Sequence, residues 1–196
     1  MDIIRFYIRL FLATAIPFGI IFGIIVGIYL VFQYGYRYGF LGLGAGLFAG
    51  ILYGGFMSLI GGSLHVWSVK RMSYGKSVEI KDITNVHHFR NIELKLPYDK
   101  VFNLCIESLK MFKRYKIKKE DYSYGKIIAI TGITWKSWGE VISFAIHKID
   151  NNKIQVIISS KPILCTTLVD YGKNLENVEK IVAFLQEKNR AYNKIG

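Results

Sequence analysis

The stretch GFLGLGAGLFAGILYGGFMSLIGG, Gly39 to Gly62, decides how this chain is read. It is apolar over the length of a long helix, yet glycine recurs throughout. In water each helix-interior glycine costs about 1 kcal/mol relative to alanine, so a soluble helix of this composition is disfavoured. In lipid the balance changes, because small residues four apart let two helix backbones approach closely and gain dispersion contacts and weak Cα–H···O bonds. Gly42, Gly46, Gly50 and Gly54 form such a row, and Ser58 and Gly62 continue it.

Working outward, Phe40 to Val66 carries no formal charge over 27 residues, and Leu10 to Phe32 none over 23. At about 1.5 Å per residue, either run can cross a hydrocarbon core of about 30 Å. Two transmembrane helices are therefore expected, forming a hairpin domain over residues 1–69. The first run exceeds the roughly 7 to 15 apolar residues of a signal-peptide core, and a second span follows almost at once, which argues against a cleaved leader. It has its own small-residue row at Ala15, Gly19, Gly23 and Gly27. Either the two rows form a glycine zipper within the hairpin, across the connection QYGYRYG at residues 33–39, or they meet a second protomer. The second alternative underlies an expected homo-oligomer.

Flanking charge orients the hairpin. Arg5 and Arg9 precede the first span, Lys70, Arg71, Lys76 and Lys81 follow the second, and the connection carries only Arg37. The excess of cations predicts both termini on the cytoplasmic side of an inner (plasma) membrane. Tyr34, Tyr36 and Tyr38 suit the aromatic belt at a membrane interface. Cys105 and Cys165 are the two cysteines, and in a reducing cytoplasm no disulfide is expected between them. Neither span holds a charged residue of the kind that marks an ion path, and His65 falls at the membrane edge. Ser58 and Ser63 read as bonded back to their own helix.

Beyond residue 69 the texture changes. Residues 70–87 are expected to be a juxtamembrane linker, and 88–196 a cytoplasmic α+β domain. Ile92, Leu94 and Leu96 alternate with Glu93 and Lys95, the period of a half-buried strand, and Pro97 closes it. Val101, Leu104, Cys105, Leu109 and Phe112 share a helical face. Lys126–Ile133, Glu140–Ile149 and Lys153–Ser160 read as strands, with Asp150, Asn151 and Asn152 turning between the last two. A final helix is expected from Asn174 as N-cap through Leu185. The order β-α-β-β-β-α implies an antiparallel sheet of four strands with helices on one face. The other face is partly apolar too, along Val141, Ala145 and Ile157, and a neighbouring protomer is the expected cover.

The run ITWKSWGEVISFAI (133–146), followed by ISSKP (158–162) and DYGKNLENVEKI (170–181), resembles a bacterial domain family of unknown function in which a serine-containing strand leads through an Asp-x-Gly-x-Asn loop into a last helix. The matching positions are Ser159, Ser160, Asp170, Gly172, Asn174 and Asn177. The resemblance implies a compact α+β domain, often tethered to a membrane, and assigns no reaction.

The loop itself has two readings. Asp170 can accept backbone N–H bonds, Gly172 can take a positive φ, and Asn174 can cap the helix, all as turn chemistry. Alternatively Ser159, Ser160, Lys161 and Lys173 converge with the helix N-terminus on a phosphate or lipid head group. A second membrane contact is expected from the basic run KMFKRYKIKK at the end of the first soluble helix, through Lys110, Lys113, Arg114, Lys116, Lys118 and Lys119, with Trp135 and Trp138 as an amphipathic lip beside Lys136.

The segment from Lys70 onward carries 23 Lys plus Arg against 13 Asp plus Glu, so an anionic partner is expected. The aromatic residues do not form an RNA-binding motif, which argues against nucleic acid. No nucleophile elbow, Walker loop or HExxH occurs, and adjacent His87 and His88 point apart in a strand, so no catalytic residue, metal or cofactor is expected. Glu140 and Asp170 read as solvated or capping acids. The expectation is a membrane-anchored binding or assembly module that self-associates; the alternatives are an oligomeric channel or transport component and an enzyme acting on a membrane-associated substrate.

Overall fold

The computed structural model describes residues 2–72, 79–134, 137–150 and 153–194. The expectations placed on Lys76, Trp135 and Lys136, and on the turn residues Asn151 and Asn152, lie outside the described residues. The chain forms two compact units, one of helices and one of sheet and helix.

In the first unit α1 (Asp2–Tyr34) runs into a 3₁₀ turn (Tyr36–Tyr38) and returns as α2 (Leu41–Phe56), a single π turn (Met57–Gly61) and α3 (Gly62–Met72). Both arms are long and apolar enough to cross a membrane. The two small-residue rows face each other inside this hairpin. A Cβ added to Gly19 would stand 2.8 Å from Gly46 O, one on Gly23 2.8 Å from Gly42 O, and one on Gly50 2.7 Å from Ala15 O. Backbones this close leave no room for a side chain, which is why glycine is tolerated there against its helix propensity. Large apolar residues point the other way, with Phe32 85% and Leu43 78% exposed.

Ser58 and Ser63 depart from the expected back-bonding. Ser58 Oγ donates to Tyr7 O of the facing helix at 2.9 Å, and Ser63 Oγ lies 3.2 Å from Tyr7 Oη. Ser58 continues the buried row of Gly54 at the four-residue spacing and so faces α1, and across the π turn Gly61 and Gly62 are both buried. Beyond it His65 is buried against Phe6, ring centroids 5.5 Å apart, and its Nε2 lies 2.9 Å from Ile83 O. Ile83 belongs to the short helix α4 (Ile80–Thr84), so part of the stretch expected as linker groups with the hairpin.

The second unit contains β1 (His88–Leu94), α5 (Tyr98–Ser108) with a 3₁₀ turn (Leu109–Met111), β2 (Tyr115–Asp121), β3 (Lys126–Thr131), β4 (Glu140–Asp150), β5 (Lys153–Pro162) and α6 (Lys173–Asn193). It is an α+β unit with one antiparallel sheet in the order β1-β5-β4-β3-β2. The sheet has five strands rather than the expected four. The additional one, β2, begins inside the basic run of residues 110–119 that is expected to end the first soluble helix, and continues to Asp121. That helix stops at Ser108, and β2 is an edge strand with only Ile117 and Asp121 half-buried, so its sequence lacks the alternation that burial imposes.

On the other strands alternation matches burial. Ile127, Ala129, Ile142, Phe144, Ile146, Ile154, Val156 and Ile158 point to one face, where they pack with Val101, Cys105 and Leu109 of the α5 segment and Val178, Ile181 and Leu185 of α6. On the opposite face Val141, Ser143, Ala145 and Ile157 are half-buried.

Candidate functional site

The apolar face of the sheet becomes polar at one end. Ser160 pairs in register with His88 on β1 and with Ile142 on β4, and all three are buried. Two residues further along the same face of β4 lies Glu140, opposite Pro162. The α6 N-terminus brings Asn174 and Asn177 to Ser160 because β5 leads through residues 163–172 straight into that helix.

Asp170 organises this end. Its carboxylate accepts Gly172 N–H at 3.0 Å, Asn174 N–H at 2.8 Å and Asn174 Nδ2 at 2.7 Å. Gly172 has a φ of 71°, a left-handed conformation that a side chain would disfavour. Asn174 is not the helix cap: α6 begins at Lys173, and the group that satisfies the Asn174 N–H is the Asp170 carboxylate. A fixed negative charge thus sits where a helix N-terminus favours one.

From there a hydrogen-bond chain runs into the core. Asn174 Oδ1 accepts from Ser160 Oγ at 2.7 Å, and Ser160 Oγ accepts from Asn177 Nδ2 at 3.3 Å. The Ser160 proton therefore goes to an amide oxygen, which is not a base of the kind that activates a nucleophile. Asn177 Oδ1 is buried without a hydrogen-bond partner.

The other expected members separate from this cluster. Ser159 is on the opposite face, its Oγ 2.8 Å from Ser143 Oγ, and Lys161 is exposed on that same side by the two-residue period of the strand. Lys173 Nζ lies 3.7 Å from Glu176 Oε2. Of the basic run, Lys110 is in the 3₁₀ turn, Lys113 and Arg114 precede β2, and Lys116, Lys118 and Lys119 lie on it, all exposed. Trp138 is exposed.

Glu140 departs from the expectation of a solvated acid. It is fully buried; one carboxylate oxygen accepts from Thr131 Oγ1 and the other from Ser137 Oγ, while Thr131 Oγ1 accepts Glu140 N–H at 2.9 Å. Its sequence position, directly after Gly139 and before the apolar positions of β4, signals a strand start. Nothing local signals the burial, which comes from Thr131 on the neighbouring strand.

At the opposite end of the sheet Tyr98 Oη donates to Tyr122 O at 2.8 Å, and Tyr122 Oη donates to an Asp99 oxygen. Burial, then the Asp121 and Asp99 carboxylates, raise the Tyr98 hydroxyl above its ordinary value; the bond to Asp99 is the main cause of the same shift at Tyr122. Burial also pushes the Cys105 thiol far up, whereas Cys165 is exposed. Among the described residues no group of three or more His, Cys, Asp or Glu is placed to hold a metal ion.

No protein-family model matches the chain, and neither does any curated protein. Among solved structures, TTHA0849 from Thermus thermophilus is similar over 54% of this chain and 98% of its own, at 12% identity and a TM-score of 0.38. The Zhui aromatase/cyclase from a Streptomyces species is similar over 55% of this chain and 87% of its own, at 14% identity and a TM-score of 0.31.

Proposed function

We propose that this chain is an integral membrane protein whose hairpin holds the α+β domain at the cytoplasmic face of a bacterial inner membrane, where the domain acts as a binding and assembly module. The observation that carries the reading is an inversion of burial in the hairpin. Its smallest residues, Gly42, Gly46, Gly50 and Gly54, are buried, while isoleucine, leucine and phenylalanine are exposed along both arms. A helix pair in water would bury the large residues and expose the small ones, because burial of apolar area drives association there. In hydrocarbon that drive is absent and close backbone packing replaces it. Arg5 and Arg9 precede the hairpin and Lys70 and Arg71 follow it, against Arg37 alone in its connection, and this imbalance supports cytoplasmic termini. The half-buried apolar face of the sheet supports an assembly role, with a second copy as the partner, and the basic balance supports anionic lipid head groups as a further partner.

Extraction of membranes with alkaline carbonate tests the anchor. The chain is expected to stay with the lipid pellet and to be released only by detergent; recovery in the carbonate supernatant would overturn the reading.

A further inference from the structure

Three segments far apart in the chain meet at the polar end of the sheet. The β3–β4 connection lies against the β5–α6 connection: Ile163 N–H donates to Gly139 O at 3.0 Å, and a Cβ on Gly139 would stand 2.9 Å from Ile163 Cδ1. On its other side the β3–β4 connection meets the entry to β2, where Gly132 N–H donates to Arg114 O at 2.9 Å. The tips of these segments hold large apolar side chains open to solvent. Ile133 is 64% exposed, Trp138 69%, Ile163 44% and Leu164 46%. One such residue alone is ordinary on a soluble surface, but several on adjoining loops mark a contact surface.

The charge around them has one sign. Residues 109–116, 131–140 and 160–172 include six cations, Lys110, Lys113, Arg114, Lys116, Lys136 and Lys161, and two acids, Glu140 and Asp170. Both acids are buried and hydrogen-bonded within the domain. Among the described residues of these segments, every exposed charge is therefore positive. Exposed apolar tips on segments whose exposed charges, Lys110, Lys113, Arg114, Lys116 and Lys161, are all positive fit the boundary between head groups and acyl chains, where the side chains leave water and the cations meet anionic lipid. A second copy of the chain fits poorly, because a two-fold contact through this patch would set the same cations against each other.

We propose that this end of the α+β domain docks on an anionic bilayer surface, with Ile133, Trp138, Ile163 and Leu164 seated among the lipid head groups. The proposal rests on the membrane-anchored reading and adds to it the part of the domain that meets lipid.

Cys165 supplies the probe, since it is exposed beside Leu164 while Cys105 is fully buried with its thiol pushed up. The full-length protein is labelled there with a nitroxide and reconstituted into vesicles of phosphatidylcholine alone or with phosphatidylserine. Accessibility of the label to oxygen is measured against accessibility to a water-soluble nickel complex. The oxygen-to-nickel ratio is expected to rise several-fold with phosphatidylserine, and the rise is expected to be lost in the triple variant Lys113→Gln, Arg114→Gln, Lys161→Gln. Protein that floats with the vesicles but keeps an equally nickel-accessible label in both lipids overturns the docking and leaves the anchor standing. Protein that fails to float overturns both. A label shielded equally in both lipids, together with a dimer by light scattering, assigns this end to a second copy and also overturns the proposal.

Discussion

Glu140 and Asp170 direct their charge into the domain rather than into water. Asp170 draws its partners from its own loop and helix, while Glu140 depends on Thr131 of the adjacent strand and on Ser137. A buried acceptor that loses a donor bears its desolvation cost uncompensated, about 1–3 kcal/mol and more for a charged group. Thr131→Val keeps the shape of the side chain and removes the hydroxyl, so it is expected to destabilise the α+β domain by at least that amount. Ser143→Ala, on the half-buried opposite face, is expected to cost less, because both hydroxyls of its pair with Ser159 are partly within reach of water. Denaturant titration of the detergent-solubilised chain compares the two; equal midpoints for Thr131→Val and the unsubstituted protein would refute the role given to Thr131.

At the scale of elements, the glycine rows lie where the backbones of α1 and α2 approach most closely. A leucine at Gly46 cannot be accommodated without separating the helices, since the backbone of Gly19 and Gly23 occupies the space. Gly44 lies on the same helix but faces outward, with nothing within 4 Å of its would-be Cβ. The pair separates two kinds of packing. Gly46→Leu is expected to abolish cross-linking between cysteines introduced on α1 and α2, while Gly44→Leu leaves that cross-link intact. Should Gly44→Leu instead reduce the mass of the protein in detergent, the outward face of α2 contributes to assembly between protomers. An unchanged cross-link in Gly46→Leu would remove the packing argument altogether.

At the scale of the whole molecule, the proposed membrane anchor carries a prediction about the side on which the α+β domain lies. Four cations, Arg5, Arg9, Lys70 and Arg71, lie at the two ends of the hairpin, against Arg37 in its connection. A reporter fused after Gly196 and a probe on a cysteine introduced at Arg37 are therefore expected to report opposite sides. Labelling of both from the same side would contradict the orientation and would place the basic end of the α+β domain away from the anionic cytoplasmic leaflet.

Much of this architecture was legible from residues alone. Two uncharged runs of helix length are visible without any contact information, because length and apolarity are properties of consecutive residues. The strands β3, β4 and β5 were legible because each buries one face, and burial writes a two-residue period into the sequence. So was the turn role of Asp170 and Gly172, whose chemistry is local. Tertiary structure decided the rest. Glycine rows identify a face that must approach something closely but carry no label for the partner, and only the fold of the hairpin set Gly19 and Gly23 against Gly46 and Gly42. Strand β2 was hidden because an edge strand of lysines has little burial to record. The burial of Glu140 arises from pairing with the preceding strand, which brings Thr131 beside it, and the gathering of Arg114, Trp138 and Ile163 at one end of the sheet arises from contacts between segments distant in the chain. Such pairings leave no trace in the spacing of neighbouring residues, since local sequence reports which side of an element is covered and the fold alone determines by what.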